Sequence, residues 1–214
     1  MLRLGPGASG LELLCLGAHS DDLELGCSGA ILRLLDEGAV DRITWVVLSG
    51  DAARATEAER SCRRLLEDRC ELEIHLQQFR DGFFPYTAGP IKEFFEILKA
   101  TTRPDLVLTH YREDRHQDHR LTSELTYNTF RSHLILEYEV MKKDGDLGQP
   151  NTYVPLDEAT VHRKIQLLME GFGSQRDKTW FSEDAFLGLM RLRGIEACAP
   201  SGYAEAFYGR KIVI

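Results

Sequence analysis

The sequence predicts an α/β fold, a three-layer α/β/α sandwich around a mostly parallel, Rossmann-like sheet. The main observation is that short apolar runs of strand length alternate with longer segments of helical spacing. Such alternation is typical of βαβ units, whose crossovers are right-handed. The chain has 214 residues, of which 43% are hydrophobic, and no linker divides it. We therefore predict a single domain over residues 1–214 with enough apolar material for a buried core.

The first two thirds of the chain carry the clearest pattern. Apolar runs predict four strands, over residues 11–18, 43–48, 73–79 and 105–109. Apolar residues at helical spacing predict the helices that follow them, over residues 26–37, 52–68, 91–100 and 118–131. Pro90 stands where the third helix can start.

The pattern weakens after residue 139. Residues 142–155 are rich in Gly, Asp, Asn and Pro, which predicts a long loop. Two more helices are predicted over residues 158–170 and 183–194. Residues 203–214 are interpreted as a final strand pair or an edge strand.

Charge and cysteine content limit the classes of partner. A formal net charge of −8 repels phosphate backbones and anionic headgroups, so we expect neither nucleic acid nor a membrane surface as a partner. The five cysteines include no Cys-x-x-Cys pair, which indicates a reducing compartment. There is no signal-peptide pattern, and no apolar run approaches the ~20 residues of a membrane span. We expect a cytoplasmic protein that acts on a small molecule; the sequence leaves open whether it forms a homo-oligomer.

A first polar cluster, residues 18–29 (AHSDDLELGCSG), follows the first predicted strand. His19 and Asp22 are three residues apart on a turn and carry good zinc ligands, so they can converge on one ion. Asp21 can then act as a general base toward water whose pKa the ion has lowered. The alternative is a polar loop in which Asp21 or Asp22 only caps the next helix.

A second cluster, residues 109–119 (THYREDRHQDH), follows the fourth predicted strand. His116 and His119 lie three residues apart at the start of a helix. One can bind a metal while the other stabilises an oxyanion or donates to a leaving amine. Asp118 can orient a histidine through its second ring nitrogen, and Asp114 can do the same. The alternative is a solvated charged loop with one capping Asp.

Both clusters follow strands of one parallel sheet, and ligands bind beyond the carboxyl ends of such strands. Two histidines and one carboxylate, with a position left for water, are typical of a catalytic zinc site. The sequence alone therefore predicts a metal site at this edge.

Together the clusters resemble the PIG-L/LmbE-like zinc-dependent N-deacetylase family. The family motifs are A-H-P-D-D-x-E after the first strand and H-x-D-H after a later one. Here they stand at residues 18–24 and 116–119, in the expected order and strand context. The resemblance extends weakly along most of the chain.

The resemblance implies a role for each matching residue. Zinc would be bound by His19, Asp22 and His119, although another divalent ion such as Fe²⁺ also suits such ligands. Asp21 would be the general base and His116 would polarise the carbonyl or stabilise the tetrahedral intermediate. Asp118 would position one of the imidazoles.

Weaker matches concern the substrate. Arg54 and Glu57 (RATE) resemble a segment whose Arg contacts the sugar, and Asp81 resembles a sugar-binding Asp. The implied substrate is an N-acetylglucosamine-type sugar, as a glycoside, a sugar nucleotide or a natural-product glycoconjugate. Two alternatives stay open: an amidase on a larger amide such as a thiol-sugar conjugate, and a catalytically inactive metal- or sugar-binding module.

The sequence departs from the family pattern at several positions. Ser20 replaces the usual Pro and Ser28 replaces a usual Gly. Asp114 and Arg115 stand where some members have an assisting Tyr, which leaves Tyr111 as its substitute. Ser174-Gln175 and the Tyr203 to Phe207 segment resemble family segments that can form a wall of the pocket.

Overall fold

A computed structural model defines the fold over residues 10–211. Within this range seven strands form one sheet. The strands are β1 (Leu11–Gly17), β2 (Val40–Val47), β3 (Glu71–Leu76), β4 (Leu106–His110), β5 (Leu134–Tyr138), β6 (Thr152–Leu156) and β7 (Tyr203–Gly209). The α-helices are α1 (Asp22–Asp36), α2 (Ala52–Leu66), α3 (Ala88–Thr101), α4 (Gln117–Thr129), α5 (Glu158–Gly171) and α6 (Glu183–Glu196).

The order of the strands determines where a crevice forms at the edge of the sheet. It runs β3-β2-β1-β4-β5-β7-β6, with the first five strands parallel and β7 antiparallel to both of its neighbours. The chain moves outward from β1 to β3, then returns to the other side of β1 with β4. This reversal is a topological switch point, where crevices form at the carboxyl ends of the strands.

Side chains of β1 alternate between two apolar clusters, one on each face of the sheet. Leu13 and Cys15 pack with helices α1, α2, α5 and α6. Leu14 and Leu16 pack on the other face with α3 and α4. Because successive residues of a strand point to opposite faces, a strand buried on both sides has a continuous apolar sequence. The predicted three-layer, mostly parallel fold is confirmed.

Polar residues at helix starts explain where several helices begin. Asp51 accepts a hydrogen bond from the backbone N–H of Arg54 and so caps α2. Asp157 caps α5 in the same way, and Ser182 caps α6. Each satisfies a backbone donor that the first helical turn leaves unpaired.

The structure corrects the prediction mainly after residue 133. Strand β5 was not predicted because Glu137 interrupts its apolar run; this carboxylate is fully buried between Arg112 and Arg210. Strand β6 begins inside the predicted loop 142–155 and ends one residue after it. Pro155 is tolerated there because β6 is an edge strand. Strand β7 lies between β5 and β6, so the interpretation as an edge strand or strand pair is wrong. Residues 212–214 of that prediction lie outside the described residues.

Helix α1 begins four residues earlier than predicted, at Asp22. Its first turn contains the acidic residues that the sequence favoured as loop. None of the helices in residues 10–211 is long and apolar enough to cross a membrane.

Candidate active site

The two polar clusters meet at the switch point. Residues 18–21 leave the end of β1 and enter α1, and residues 111–116 leave the end of β4 and enter α4. β1 and β4 are hydrogen-bonded neighbours, with Leu13 opposite Leu106 and Cys15 opposite Leu108. The carboxyl ends of both strands therefore deliver their loops to one place.

His19, Asp22 and His119 converge there. Nδ1 of His19 lies 3.0 Å from Nε2 of His119 and 3.3 Å from Oδ2 of Asp22. Nε2 of His119 lies 3.5 Å from Oδ1 of Asp22. A tetrahedral zinc ion with ligand bonds of about 2.0–2.1 Å separates its ligand atoms by roughly 3.3 Å. The two contacts of Asp22 involve different carboxylate oxygens, and all three side chains lie close enough together to be candidate ligands of a single ion.

Other ligand-type side chains lie close enough to extend or compete for this position. His116 forms a group with His19 and His119 whose ligand atoms lie within 4.8 Å of one another. At the same spacing, Asp81 and Asp118 group with His19 and His116, and His110 groups with Asp22 and His119. We favour the set of His19, Asp22 and His119 because it combines two imidazoles and one carboxylate, the donor set of a catalytic zinc site, with mutual contacts of 3.0–3.5 Å.

Each of the two candidate histidine ligands has a carboxylate on its second ring nitrogen. Nε2 of His19 lies 3.3 Å from Oδ2 of Asp118, and Nδ1 of His119 lies 2.9 Å from Oδ2 of Asp114. Such partners fix the tautomer and the ring orientation of a metal-binding histidine. The structure thus places Asp114 and Asp118 where the sequence suggested an orienting role.

Asp118 also connects the site to the loop after β3. Its two oxygens accept the backbone N–H groups of Gly82 at 2.6 Å and Phe84 at 3.1 Å. Its own N–H points to Nδ1 of His116 at 3.3 Å. The Asp118 side chain is fully buried. Its carboxylate is held in place by the two hydrogen bonds from the loop after β3, which lies outside its own helix α4.

His116 stands beside the two candidate histidine ligands. Its ring centre lies 4.8 Å from that of His19 and 4.6 Å from that of His119. Burial and the neighbouring charge of His19 lower the pKa of His116. Its position next to the candidate metal position suits a hydrogen-bonding partner for a substrate oxygen.

Asp21 occupies the N-cap position of α1, but its side chain makes no capping hydrogen bond. It is 6% exposed. Burial and the charge of the adjacent Asp22 raise the pKa of Asp21 to about 6. A carboxylate with a raised pKa that does not serve as a cap is suited to proton transfer.

The candidate ligands differ in their affinity for protons. Burial would raise the pKa of Asp22, but His119, His110 and His19 hold it well below its ordinary value. Burial and the charge of His110 lower the pKa of His119 to about 3, so this imidazole is neutral, as a metal ligand must be. Burial would lower the pKa of His19, but Asp22 and Asp118 raise it well above its ordinary value, so an ion would displace a proton there.

Arg54 and Asp81 lie together at the rim. Nη1 of Arg54 is 3.1 Å from Oδ2 of Asp81, and Oδ1 of Asp81 is 3.2 Å from Nε2 of His19. The Asp81 side chain is half exposed. Glu57 does not join them; it accepts hydrogen bonds from the N–H and the hydroxyl of Ser174. The two charged side chains of the RATE segment therefore have different partners: Arg54 contacts Asp81 at the rim, and Glu57 contacts Ser174.

Two residues near the site had no role in the sequence interpretation. His110 is fully buried, with Nε2 3.1 Å from Oδ2 of Asp22 and 3.0 Å from the Ala18 nitrogen. It was one of three histidines in the second cluster, and its place at the end of β4 was the available signal. Lys142 contacts Asp114 at 2.9 Å. Nothing in its Gly- and Asp-rich surroundings distinguished it from Lys143.

The sheet order and the His–carboxylate cluster define an α/β protein with a candidate metal site at the switch point of a Rossmann-like sheet. Residues 14–130 match the model of the PIG-L family, described as GlcNAc-PI de-N-acetylase. This match covers more than half of the chain, which therefore belongs to the PIG-L family.

Similar proteins include a diacetylchitobiose deacetylase from Thermococcus kodakarensis, 31% identical over 123 residues. That alignment covers 51% of this chain and 45% of the relative, so the chain matches less than half of the relative's length. Among solved structures, the N,N'-diacetylchitobiose deacetylase from Pyrococcus horikoshii has a TM-score of 0.71 and 21% identity, covering 97% of this chain and 86% of that chain.

A second similar structure has a different named activity. GalB, the 4-carboxy-2-hydroxymuconate hydratase from Pseudomonas putida KT2440, has a TM-score of 0.74 and 17% identity, covering 95% of this chain and 98% of that chain. At these identities the two structural likenesses concern the fold alone. The fold thus carries more than one chemistry, and the reaction has to be argued from the site.

Proposed function

We propose that this protein is a metal-dependent N-deacetylase that removes the acetyl group from an N-acetylglucosamine-type sugar. The observation that carries the proposal is the convergence of His19, Asp22 and His119. The adjacent Asp21 makes no capping hydrogen bond, so its carboxylate is available for proton transfer. Membership of the PIG-L family and the similarity to a diacetylchitobiose deacetylase support a sugar amide as the substrate.

His19, Asp22 and His119 would hold the ion, for which we propose zinc, with Fe²⁺ as the alternative. When bound, the ion supplies a Lewis acid that polarises the carbonyl and lowers the pKa of water.

The chain's own residues would perform the proton transfers. Asp21 takes a proton from the attacking water, and the water oxygen forms a bond to the carbonyl carbon of the acetamide. His116 donates a hydrogen bond to the carbonyl oxygen as negative charge develops there. Asp21 or His116 then delivers a proton to the nitrogen as the C–N bond breaks, which releases acetate and the free amine.

Asp118 and Asp114 would keep the imidazoles in place during the reaction, through the contacts to His19 and His119. Arg54 and Asp81 would contact hydroxyl groups of the sugar from the rim. The pair is partly exposed, so its charges are available to a polar ligand.

The setting we propose is cytoplasmic, with a small amino-sugar derivative as the partner. All five cysteines are free in the structure, which supports a reducing compartment. The formal net charge of −8 argues against nucleic acid and anionic membranes as partners.

The test is metal content and amine release on one preparation, with a panel of N-acetylglucosamine derivatives and larger sugar amides. We expect about one zinc per chain and release of amine from an N-acetyl sugar. His119→Ala should lose both the metal and the activity. His162→Ala, at an exposed histidine of α5, is the matched control and should retain both.

The other outcomes separate the alternatives. If only the larger amides were cleaved, the protein would be an amidase on larger sugar amides and not a deacetylase. Zinc binding without cleavage of any amide in the panel would leave a binding module or another chemistry of the fold. Absence of metal binding by the wild type would refute the proposal.

A further inference from the structure

Asp114 is one of two carboxylates behind the candidate metal site whose oxygens have three partners. Its Oδ1 accepts the backbone N–H of His116 at 2.7 Å. Its Oδ2 receives two partners, Nδ1 of His119 at 2.9 Å and Nζ of Lys142 at 2.9 Å. The imidazole and the ammonium group therefore share one oxygen atom.

Lys142 comes from the segment after β5, and its side chain is only 10% exposed. Its second partner is Asp146, whose side chain is 5% exposed. Asp146 also accepts the backbone N–H of Arg115 at 2.7 Å. One cation thus lies between two buried carboxylates, of which one contacts His119 and the other belongs to the loop before β6.

The shared oxygen has an electrostatic consequence. A carboxylate on the far nitrogen of a metal-binding histidine raises the basicity of that ligand. A cation on the same oxygen withdraws charge from it and weakens this effect, strongly so where burial excludes water.

We propose that Lys142 is a positioning residue that acts on His119 through Asp114, limiting how strongly this carboxylate attracts the Nδ1 proton. His119 is then a weaker electron donor, and an ion bound to its Nε2 stays a stronger Lewis acid. Asp146 sets the strength of the effect, because it competes with Asp114 for the same ammonium group. The inference rests on the proposed metal-dependent function.

The first test compares Lys142→Met with Lys143→Met, a matched control at the exposed neighbouring lysine. Zinc affinity is measured by competition with a chromophoric chelator, and kcat is measured on the N-acetyl sugar that the wild type cleaves best. We expect Lys142→Met to bind zinc on the order of threefold to tenfold more tightly and to lose about tenfold in kcat. Lys142→Arg should restore most of both values, and Lys143→Met should match the wild type.

The second test reverses the direction. Asp146→Asn leaves Lys142 wholly to Asp114, so zinc affinity should fall several-fold, by about three to ten times. Asp144→Asn, at an exposed position of the same loop, is its control. This pair also decides the proposal if Lys142→Met does not fold.

The contrary results are specific. If Lys142→Met loses zinc affinity together with activity, and excess zinc restores the rate, Lys142 only holds the structure and the proposal is wrong. It is equally wrong if each variant behaves as its control. If the wild type binds zinc but cleaves no amide, the zinc affinities still decide the role of Lys142, while the proposed function fails by itself.

Discussion

Buried charges occur in two regions of this protein, and they are paired in different ways. Far along the sheet from β1, the distal ion pairs are Lys164–Glu205 at 2.5 Å and Arg193–Glu139 at 2.7 Å. Glu205 also accepts the backbone N–H groups of Gly29 and Ala30. Lys164 donates to the carbonyl of Leu25. Each of these charges has a close opposite charge and further hydrogen bonds.

At the switch point, three buried acidic residues have no Lys or Arg partner among the described residues. Asp22 faces three imidazoles. Asp21 makes no capping hydrogen bond. Neither oxygen of the fully buried Glu24 has a hydrogen-bond partner among the described residues. Burying a charge is costly unless it is paired, so a fold retains such groups where they act on something else.

We expect the two kinds of buried charge to have different roles. Buried charges that are fully paired stabilise the fold, whereas convergent and incompletely paired ones serve the reaction. Substitutions in the first group should therefore change the free energy of unfolding, and those at Asp21 and Asp22 should change metal binding or turnover. Burial raises the pKa of Glu24 to about 8 and so keeps it uncharged at pH 7, and its substitution should change stability instead.

The largest effect is expected from Asp21→Asn. The amide cannot accept the proton of the attacking water, so kcat should fall about a thousandfold, while zinc content stays near that of the wild type. Steady-state amine release and metal analysis on the same sample measure both. Asp41→Asn, at an exposed position, is the control. A variant that keeps kcat within fivefold of the wild type would remove Asp21 from the mechanism.

Lys164→Met tests the distal ion pairs. It leaves the buried Glu205 without its cation, so the free energy of unfolding should fall by about 3–5 kcal/mol. Urea unfolding measures the loss, and the double variant with Glu205→Gln should recover part of it. Zinc affinity of the folded fraction should be unchanged. A large loss of affinity with intact stability would contradict the distinction between the two regions.

Glu24→Gln should stabilise the protein in a pH-dependent way. Burial raises the pKa of Glu24 from its ordinary value of 4.5 to about 8. The folded state therefore keeps a proton that the unfolded state releases, and stability falls as pH rises from about 4.5 to about 8. Gln resembles the protonated form and removes this dependence, with a gain of about 3 kcal/mol at pH 7.

Urea unfolding at pH 5, 7 and 8.5 measures this gain. Glu124→Gln, on the exposed side of α4, should leave the pH dependence unchanged. Equal slopes for Glu24→Gln and the wild type would show that Glu24 is ionised in the folded protein.

The smallest effect is expected at the rim. Arg54→Gln removes one partner of Asp81 without touching the three candidate ligands, so KM should rise about tenfold or less with little change in kcat. Arg60→Gln, at an exposed position on the same helix, should have no effect. A fall in kcat at constant KM would mean that Arg54 acts on the reacting group instead.

Local pattern in the sequence determined the parallel sheet, the two clusters after its strands, and the residues that converge in them. These features depend on spacing within one element: apolar residues alternate or recur with the period of a strand or helix, and His19 and Asp22 are three positions apart. The sequence pattern was misleading where a buried strand contains a charge that is paired with a residue distant in sequence. Glu137 in β5 is paired with Arg112, and Glu205 in β7 is paired with Lys164.

Only the tertiary structure decided the partners. His19 and His119 are 100 positions apart, His110 reaches Asp22 from the neighbouring strand, and Lys142 reaches Asp114 from a loop. Arg54 and Asp81 likewise meet only because β2 and β3 are adjacent. Periodicity shows which face of an element is buried but not which element covers it, because that choice follows from strand order and packing along the whole chain.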